Sequence, residues 1–587
     1  MDLKKFFSEL KRREVYKVAI AYGITAWVIA QIAGLVSASF EFPSWVMRMT
    51  ITILVVGFPI ALILSWIFEV SSKGIVKTAP LESDGSDEHK LMDTRLVIGI
   101  LVLIGILMTG GWWTWQKFGF DKSPPIRNLV VLPFDNYTGS DEYDYFVAGM
   151  HSSLITDIGR IGELTVKSKT TANSYKETDL SVPEIASELG IDAAVEGSIT
   201  CLGKDSVCVQ IRLISAYPKE QQLWVQDYRV EKSQILNFYN KVTKSISKEI
   251  NIVLTPQEES LLAETQTVDP EAYDAYLMGQ FYWDRLSKES LQMATDYFEI
   301  AIEKDPDWAP PHAGLASVWI GKMQMSFASP SIAIPKIYKN MNRALELDPN
   351  SAGSHSTNAA IAIWTEWDWD KGEKEYLKSI ELNPNDALSR MFYAHLLMIL
   401  KRPSEAIHQA NLAMKLDPLR PLILGLGGVV MGGTGDVKSA IALYEKALSI
   451  DPNNRFANYG LSGAYRQIEN YEKWFEYFKK IGWQDDKTLA SVDSVFQEQG
   501  YSAAVEMTIK IDLEAANERY IDMDILGFRY LELHNYDKAM DYYEKAYEIH
   551  HPSMPYIGGL MKNYDKLKEN PRYIELLQKM NLPLDDK

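Results

Sequence analysis

The sequence contains very little cysteine and no excess of basic residues. Only 2 of its 587 residues are cysteine, which excludes a disulfide-stabilised scaffold and a multi-cysteine zinc domain. Its 60 Lys and Arg residues stand against 78 Asp and Glu, giving a net charge of −18. The basic surface that nucleic-acid-binding proteins require is therefore missing, and we expect no nucleic-acid partner. Apolar residues make up 47% of the chain, which is the composition of a folded protein with several domains.

Motifs for catalysis, metal binding and nucleotide binding are also missing. The 9 His residues show no His-Glu-x-x-His spacing. We interpret His550 and His551 as an exposed pair near a helix end, with a metal site as the alternative. The glycines between 427 and 435 are not followed directly by Gly-Lys-Ser/Thr, as a phosphate-binding loop requires. We therefore predict that the protein is not an enzyme, with no catalytic residues, no metal and no cofactor.

Three long apolar runs lie within the first 120 residues, at 18–36, 49–68 and 96–115. Each is about 20 residues long, the length that an α-helix needs to cross a bilayer. Buried helices of a soluble domain are the alternative interpretation. The runs predict a membrane region over residues 1–120 with three transmembrane helices, and the lipid bilayer as a partner.

Basic residues predict the orientation of this region. Lys and Arg are concentrated before the first run and between the second and third runs, whereas Arg48 is the only basic residue between the first two. Because basic loops remain in the cytoplasm, we expect the N-terminus to be cytoplasmic. Three spans then place everything after Trp115 on the extracytoplasmic side.

Residues 126–254 mix strand and helix patterns and predict a small α+β domain. Asn128–Phe134 is a short apolar run typical of a buried strand. Three alternating runs that begin at Ala193 predict an antiparallel meander. Helices are predicted over Tyr145–Ile161, Val182–Leu189 and Ile235–Val253.

The two cysteines flank the first turn of the meander. A two-residue tip at Lys204 and Asp205 places Cys201 opposite Cys208. A disulfide between them is expected if the compartment is oxidising. The alternative is a pair of buried thiols that act as small apolar side chains.

Residues 268–587 contain a repeated pattern that ends in Asp-Pro or Asn-Pro. The prolines at 306, 349, 384, 418 and 452 are separated by 43, 35, 34 and 34 residues. A 34-residue period is typical of the tetratricopeptide repeat, a pair of antiparallel helices. Because one pair cannot bury its apolar face alone, the pairs must stack. We predict an all-α solenoid of about eight units, closed by a cap helix near residues 570–577.

Several of these residues resemble a known family. Leu132-Pro133-Phe134, Val195-Glu196-Gly197-Ser198 and Leu223-Trp224, with Tyr145, Phe146 and Gly149, resemble the TolB N-terminal-like, or FlgO-type, domain. The basic start of the chain, from Phe6 to Tyr22, is similar to the same bacterial membrane-anchored proteins. The resemblance implies a multi-pass protein of the bacterial inner membrane with helical repeats after this domain. Some relatives carry a nucleotide-cyclase domain, for which the stretch Glu69–Arg95 is too short.

These observations predict a multidomain protein in which a membrane region precedes an α+β domain and a tetratricopeptide-repeat solenoid. The predicted function is a membrane-anchored scaffold that binds a protein or peptide partner in the groove of the repeats. The alternative is a membrane sensor or signalling protein whose α+β domain or repeats bind a ligand. Aromatic side chains are frequent anchors at interfaces, although most of those present here are equally candidates for the core. The candidate anchors are Trp308, Trp319, Trp364, Trp367 and Trp369.

Overall fold

A computed structural model describes most of the chain after residue 124 and part of the region before it. The chain divides into two compact units, residues 1–121 and 122–587. The described residues are 15–39, separate positions between 50 and 77, and 125–263, 267–283, 287–325, 327–481, 484–516, 521–562 and 565–584.

In the first unit, helix α1 (Val15–Ser39) contains the first predicted membrane span. Within the described part of the chain it is the one helix long and apolar enough to cross a membrane, a property that signal sequences share. The run at 49–68 is described only at separate positions, and the run at 96–115 lies outside the described residues. A short antiparallel hairpin, β1 (Phe68–Ser71) and β2 (Gly74–Lys77), follows. Three spans therefore remain a prediction, with one candidate helix.

The second unit begins with a six-stranded mixed sheet. Its strands are β3 (Asn128–Val131), β4 (Asp135–Asn136), β5 (Thr165–Val166), β6 (Ala193–Leu202), β7 (Ser206–Ser215) and β8 (Gln221–Glu231). They lie in the order β5-β3-β6-β7-β8, and β4 also pairs with β6. Strand β3 runs parallel to both neighbours, and β6, β7 and β8 form the predicted antiparallel meander.

Helices cover both faces of this sheet because successive strand residues point to opposite sides. The helices are α2 (Asp144–Ile158), α3 (Lys169–Asn173), α4 (Val182–Leu189) and α5 (Ile235–Glu249). Leu129 and Val131 of β3 pack in the core with α2 and α5, whereas Val130 packs in a second core with α4. Gly190 follows α4 in the left-handed conformation, with φ of 63°, so the helix ends where the sequence predicts.

After a linking helix, α6 (Pro256–Ala263), the described residues form eight helical hairpins that stack in sequence, in agreement with the predicted number of units. A final helix, α23 (Pro571–Lys579), lies at the predicted position of the cap. The hairpins pair α7 (Pro270–Trp283) with α8 (Lys288–Lys304), α9 (Ala309–Gln324) with α10 (Pro330–Leu347), α11 (Ala352–Ile361) with α12 (Trp369–Leu382), α13 (Ala387–Ile399) with α14 (Pro403–Leu416), α15 (Pro421–Thr434) with α16 (Val437–Ile450), α17 (Arg455–Gln467) with α18 (Tyr471–Phe478), α19 (Asp486–Gln499) with α20 (Tyr501–Ala515), and α21 (Met523–Glu532) with α22 (Tyr536–Glu548).

Small residues allow neighbouring hairpins to approach closely. The ring of Tyr444 on α16 lies against Gly428 of α15 and Gly460 of α17, and a Cβ atom at Gly428 would come within 2.6 Å of that ring. Any larger residue at these positions would push the helices apart. Gly435, with φ of 107°, makes the turn between α15 and α16, so this glycine-rich stretch is a helix followed by a turn.

Candidate functional site

The first helices of the hairpins form one layer of the array, which we call the inner layer. Helices α7, α9 and α11 contact one another in turn, and so do α13, α15 and α17. Closer spacing on one side of a stack makes that side concave. The inner layer therefore lines the groove that the sequence predicts as a binding surface.

The sheet domain covers the inner layer at the first hairpins. Helix α2 packs directly on α7, and a Cβ atom at Gly149 would lie 2.6 Å from the side chain of Leu277. The hydroxyl groups of Tyr239 on α5 and Tyr273 on α7 share a buried hydrogen bond of 2.7 Å. This end of the groove is therefore filled by the protein's own domain.

Polar contacts extend the same interface to the third and fourth hairpins. The side chain of Asn385, just before α13, accepts from the Val166 amide and donates to the carbonyl oxygens of Gly159 and Leu164, each at 2.9 Å. The Ser168 amide donates to the Leu416 carbonyl over 3.1 Å. Because these bonds involve backbone groups on β5 and its flanking loops, they fix the domain in one orientation on the array.

The C-terminal end of the array returns to its third and fourth hairpins. His550 stacks on Trp367 at a ring distance of 4.3 Å, and the Trp369 indole donates to the carbonyl oxygen of Met580 over 2.9 Å. His395 on α13 shares a hydrogen bond of 2.9 Å with the Tyr556 hydroxyl. The segment after α22 therefore closes the array against its middle.

This closure corrects the interpretation of His550 and His551 as an exposed pair. His550 is exposed but stacked, whereas the side chain of His551 is only 12% exposed, between Asp522 and Asp524 at 3.5 Å each. Burial by itself lowers the pKa of His551, but its hydrogen bond with Asp522 and the two negative charges outweigh burial and raise it above 6.5. Within the described residues, no group of three or more His, Cys, Asp or Glu is arranged to hold a metal ion.

The five predicted tryptophan anchors are all buried, with exposed fractions between 5% and 9%. Trp308 packs beside Tyr276 of α7, and Trp319 lies beneath the ammonium groups of Lys322 and Lys336. Trp364, Trp367 and Trp369 lie where the C-terminal segment closes the array. Their burial favours the core alternative that the sequence left open.

An aromatic side chain is accessible further along the inner layer, on α17. Tyr459 is 56% exposed, yet burial by the surrounding protein raises its pKa to about 12, with a further contribution from the charge of Asp524 on α21. Phe456, one turn earlier on the same helix, is 38% exposed. Tyr459 and Phe456 therefore form an accessible aromatic pair on α17.

Ion pairs join the helices that flank this open surface. Arg466 of α17 pairs with Glu532 of α21 at 2.9 Å, and the side chain of Glu532 is only 6% exposed. Arg529 and Asp512 form a second buried pair between α21 and α20. These carboxylates neutralise both arginines.

Cys201 and Cys208 occupy facing positions on β6 and β7. Their Cα atoms are 4.9 Å apart, and the structure joins their sulfur atoms. The register follows from the two-residue turn, as the sequence analysis expected.

Sequence reasoning missed Asn385 and Tyr459. Asn385 follows an Asn-Pro dipeptide that resembles the other helix-ending motifs, and only its contacts with β5 distinguish it. Tyr459 lies on α17 in a repeat of ordinary spacing, and the sequence alone does not distinguish it from the buried aromatic residues of the array.

The tetratricopeptide-repeat family profile matches residues 432–454 and 526–549. The first match covers the end of α15, the turn after it and α16, and the second covers most of α21 and α22. Among curated proteins, a putative adenylate cyclase 3 of Rhizobium meliloti is 25% identical over 43% of this chain and 45% of its own length. The heat shock protein STI1 of Saccharomyces cerevisiae is 33% identical over 18% of each chain. A thermophilic tetratricopeptide-repeat protein of Thermus thermophilus covers 33% of this chain and 99% of its own, with 15% identity and a TM-score of 0.28.

The protein thus contains tetratricopeptide repeats, the class of repeat that suggests a protein–protein interaction scaffold. The chain spans less than half the length of these two curated relatives.

Proposed function

We propose that the protein is a membrane-anchored scaffold whose inner layer binds a protein partner at α17 and α21. The observation that carries this proposal is Tyr459, an aromatic side chain that is 56% exposed on the inner layer beyond the part that the sheet domain covers. Rigid aromatic side chains are effective anchors at interfaces because they bury large areas with little loss of conformational entropy.

The charge of this surface suggests the chemistry of the partner. The charge of Asp524 acts on Tyr459, and the whole chain carries a net charge of −18. An acidic protein attracts a basic partner over a distance and repels an acidic one. The expected partner segment is therefore basic, with an apolar or aromatic residue that packs on Tyr459.

A photocrosslinking side chain placed at Tyr459 in the full membrane-bound chain tests this proposal. Crosslinking to a partner is expected at Tyr459, and it should weaken as salt concentration rises because salt screens charges. Leu377 on the outer helix α12 is 49% exposed and provides a matched control position. Equal crosslinking at both positions, or crosslinking that is insensitive to salt, would contradict the proposed surface.

We further propose that α1 spans the bacterial inner membrane, within a multi-pass anchor that leaves residues 126–587 extracytoplasmic. Helix α1 is 25 residues long and has no acidic residue in its first turn or basic residue in its last. In an oxidising compartment Cys201 and Cys208 are expected to be bridged. Maleimide labelling of the denatured, unreduced chain tests this, because these are its only 2 cysteines. Free thiols, together with a C-terminal part that is protected from external protease, would show that residues 126–587 lie on the cytoplasmic side.

A sensor remains a second candidate function, and a cavity between the sheet domain and the first hairpins favours it. One curated relative is named a putative adenylate cyclase, but we propose no enzymatic activity for this chain.

A further inference from the structure

A cavity of about 450 Å³ lies between the sheet domain and the array. Helices α2 and α5 form one wall, and α7, α9 and α11 form the other. The walls combine aromatic rings, among them Tyr276, Trp283 and Trp308, with hydroxyl and amide groups such as Ser317, Thr357 and Asn383. A cavity of this size holds a small organic molecule, and its mixed lining suits one with both an aromatic and a polar part.

The start of α11 defines the polar end of the cavity. Ser351, Ala352, Gly353 and Ser354 all line it. The first amide groups of a helix have no partner within the helix, and the helix dipole favours negative charge there. Ser351 caps one of them, since its hydroxyl accepts from the Ser354 amide over 3.2 Å. Apart from the adjacent residues and the backbone of α11 itself, no described atom lies within 4 Å of the position that a Cβ of Gly353 would occupy, so there is space beside the helix start.

A second observation points to a ligand at the same place. Ser354 is fully buried, and in the part of the chain that the structure describes its hydroxyl has no hydrogen-bond partner. The indole N–H of Trp283, which also lines the cavity, is likewise unpaired among the described residues. A buried polar group without a partner is costly, and a bound acceptor would relieve that cost at Ser354.

The charged groups of the wall agree with an anionic ligand. Arg160 and Lys169 line the cavity together with Asp157 and Asp348. Asp157 lies 3.2 Å from Arg160, and burial raises the pKa of Asp157, which favours its neutral form. A carboxylate oxygen of Asp348 accepts from the Asn350 amide over 2.9 Å. The side chains of the wall thus carry no net negative charge, and the start of α11 supplies the favourable site for an anion.

We propose that this cavity binds a small aromatic carboxylate, with its carboxylate at the start of α11 beside Ser354 and its ring against Trp283 and Trp308. The sheet domain covers the ligand as a lid formed by α2 and α5. This site does not depend on partner binding at Tyr459, so either proposal can fail without the other.

Thermal unfolding of the full chain, with benzoate, phenylacetate and indole-3-acetate as probes, tests the site. Each carboxylate at millimolar concentration is compared with its neutral amide. At least one carboxylate is expected to raise the melting temperature, while its amide does not. The proposal is overturned if none of the three carboxylates stabilises the chain, or if the amides stabilise it equally.

Two variants and one control locate the binding. Ser354→Ala should leave the melting temperature of the free protein unchanged or higher, because it removes an unpaired hydroxyl, and should weaken probe binding roughly tenfold. Gly353→Phe should abolish probe binding by filling the cavity. Gly463→Phe is the control and should leave probe binding intact. Gly463 is a helical glycine of α17 with the same space beside it as Gly353. Unchanged binding in the first two variants would overturn the assignment.

Discussion

The inner layer of the array has two parts with different surroundings. At α7 to α13 it is covered by the sheet domain, which is attached through buried tyrosines and the hydrogen bonds of Asn385. At α17 and α21 it presents Tyr459, between helices joined by ion pairs. The same hairpin fold thus holds a domain at one end and leaves a surface accessible at the other. The difference lies in which side chains the inner helices present at each end.

The largest effect is expected in the second part, at the buried pair of Arg529 and Asp512. Their side chains are 9% and 4% exposed, so Asp512→Ala leaves a buried guanidinium without its carboxylate. We expect a loss of about 3–5 kcal/mol in the free energy of unfolding, measured by urea denaturation. Glu514→Ala is the control, because its pair with Lys510 is 67–77% exposed and contributes less than about 1 kcal/mol. Similar losses in both variants would contradict the role of burial.

Acidification is expected to destabilise the sheet domain and the array, through one histidine in each. Burial lowers the pKa of His151 in the sheet domain and of His395 in the array to about 4. A histidine with a lowered pKa contributes stability that is complete above 6.5 and is lost as pH falls toward 4. Each should contribute up to about 3 kcal/mol.

The pH dependence of the urea midpoint measures this effect. His395→Gln is expected to lower stability at neutral pH. It should also make stability decrease less steeply as pH falls from 6.5 to 4, because one titrating group has been removed. His408→Gln, at an exposed position on α14, should show the same fall as the unmodified chain. An unchanged slope in His395→Gln would show that this histidine does not titrate differently in the folded protein.

Asn385→Ala tests the attachment of the sheet domain. It leaves one amide and two carbonyl groups of the domain without their partner, and we expect a loss of about 2 kcal/mol. The unfolding of the domain should separate from that of the array. Asn453 occupies the corresponding position two hairpins later and is exposed, so Asn453→Ala should have little effect. Persistence of a single transition in Asn385→Ala would mean that the tyrosine contacts suffice.

Local features of this fold follow from the sequence, and its long-range contacts do not. The capping box that begins α4, the glycine that ends it and the facing of Cys201 and Cys208 depend on a few adjacent residues. The hairpin count follows from the spacing of prolines. By contrast, Asn385 contacts Gly159 across 226 residues, and Trp369 contacts Met580 across 211. No local pattern records such pairs, because they depend on the curvature accumulated over several hairpins.

The smallest expected effect concerns the closure of the array at His551. Its raised pKa means that the charged form is favoured in the folded chain, beside Asp522 and Asp524. This contribution is complete below 6.5 and is lost as pH rises through the raised pKa, in the direction opposite to that of His395. Because the group is partly exposed, we expect a loss under about 1 kcal/mol.

Hydrogen exchange of the backbone amides of residues 549–562 measures this loss as a local opening. The exchange rates in mildly acidic and mildly alkaline solution are compared after correction for the intrinsic rate at each pH. His551→Gln should remove the dependence on pH, because glutamine keeps a hydrogen bond but no charge. His534→Gln, at an exposed position before α22, should preserve it. If protection does not change with pH in the unmodified chain, the closure of the segment is independent of the charges beside His551 and rests on the contacts of Trp367 and Tyr556.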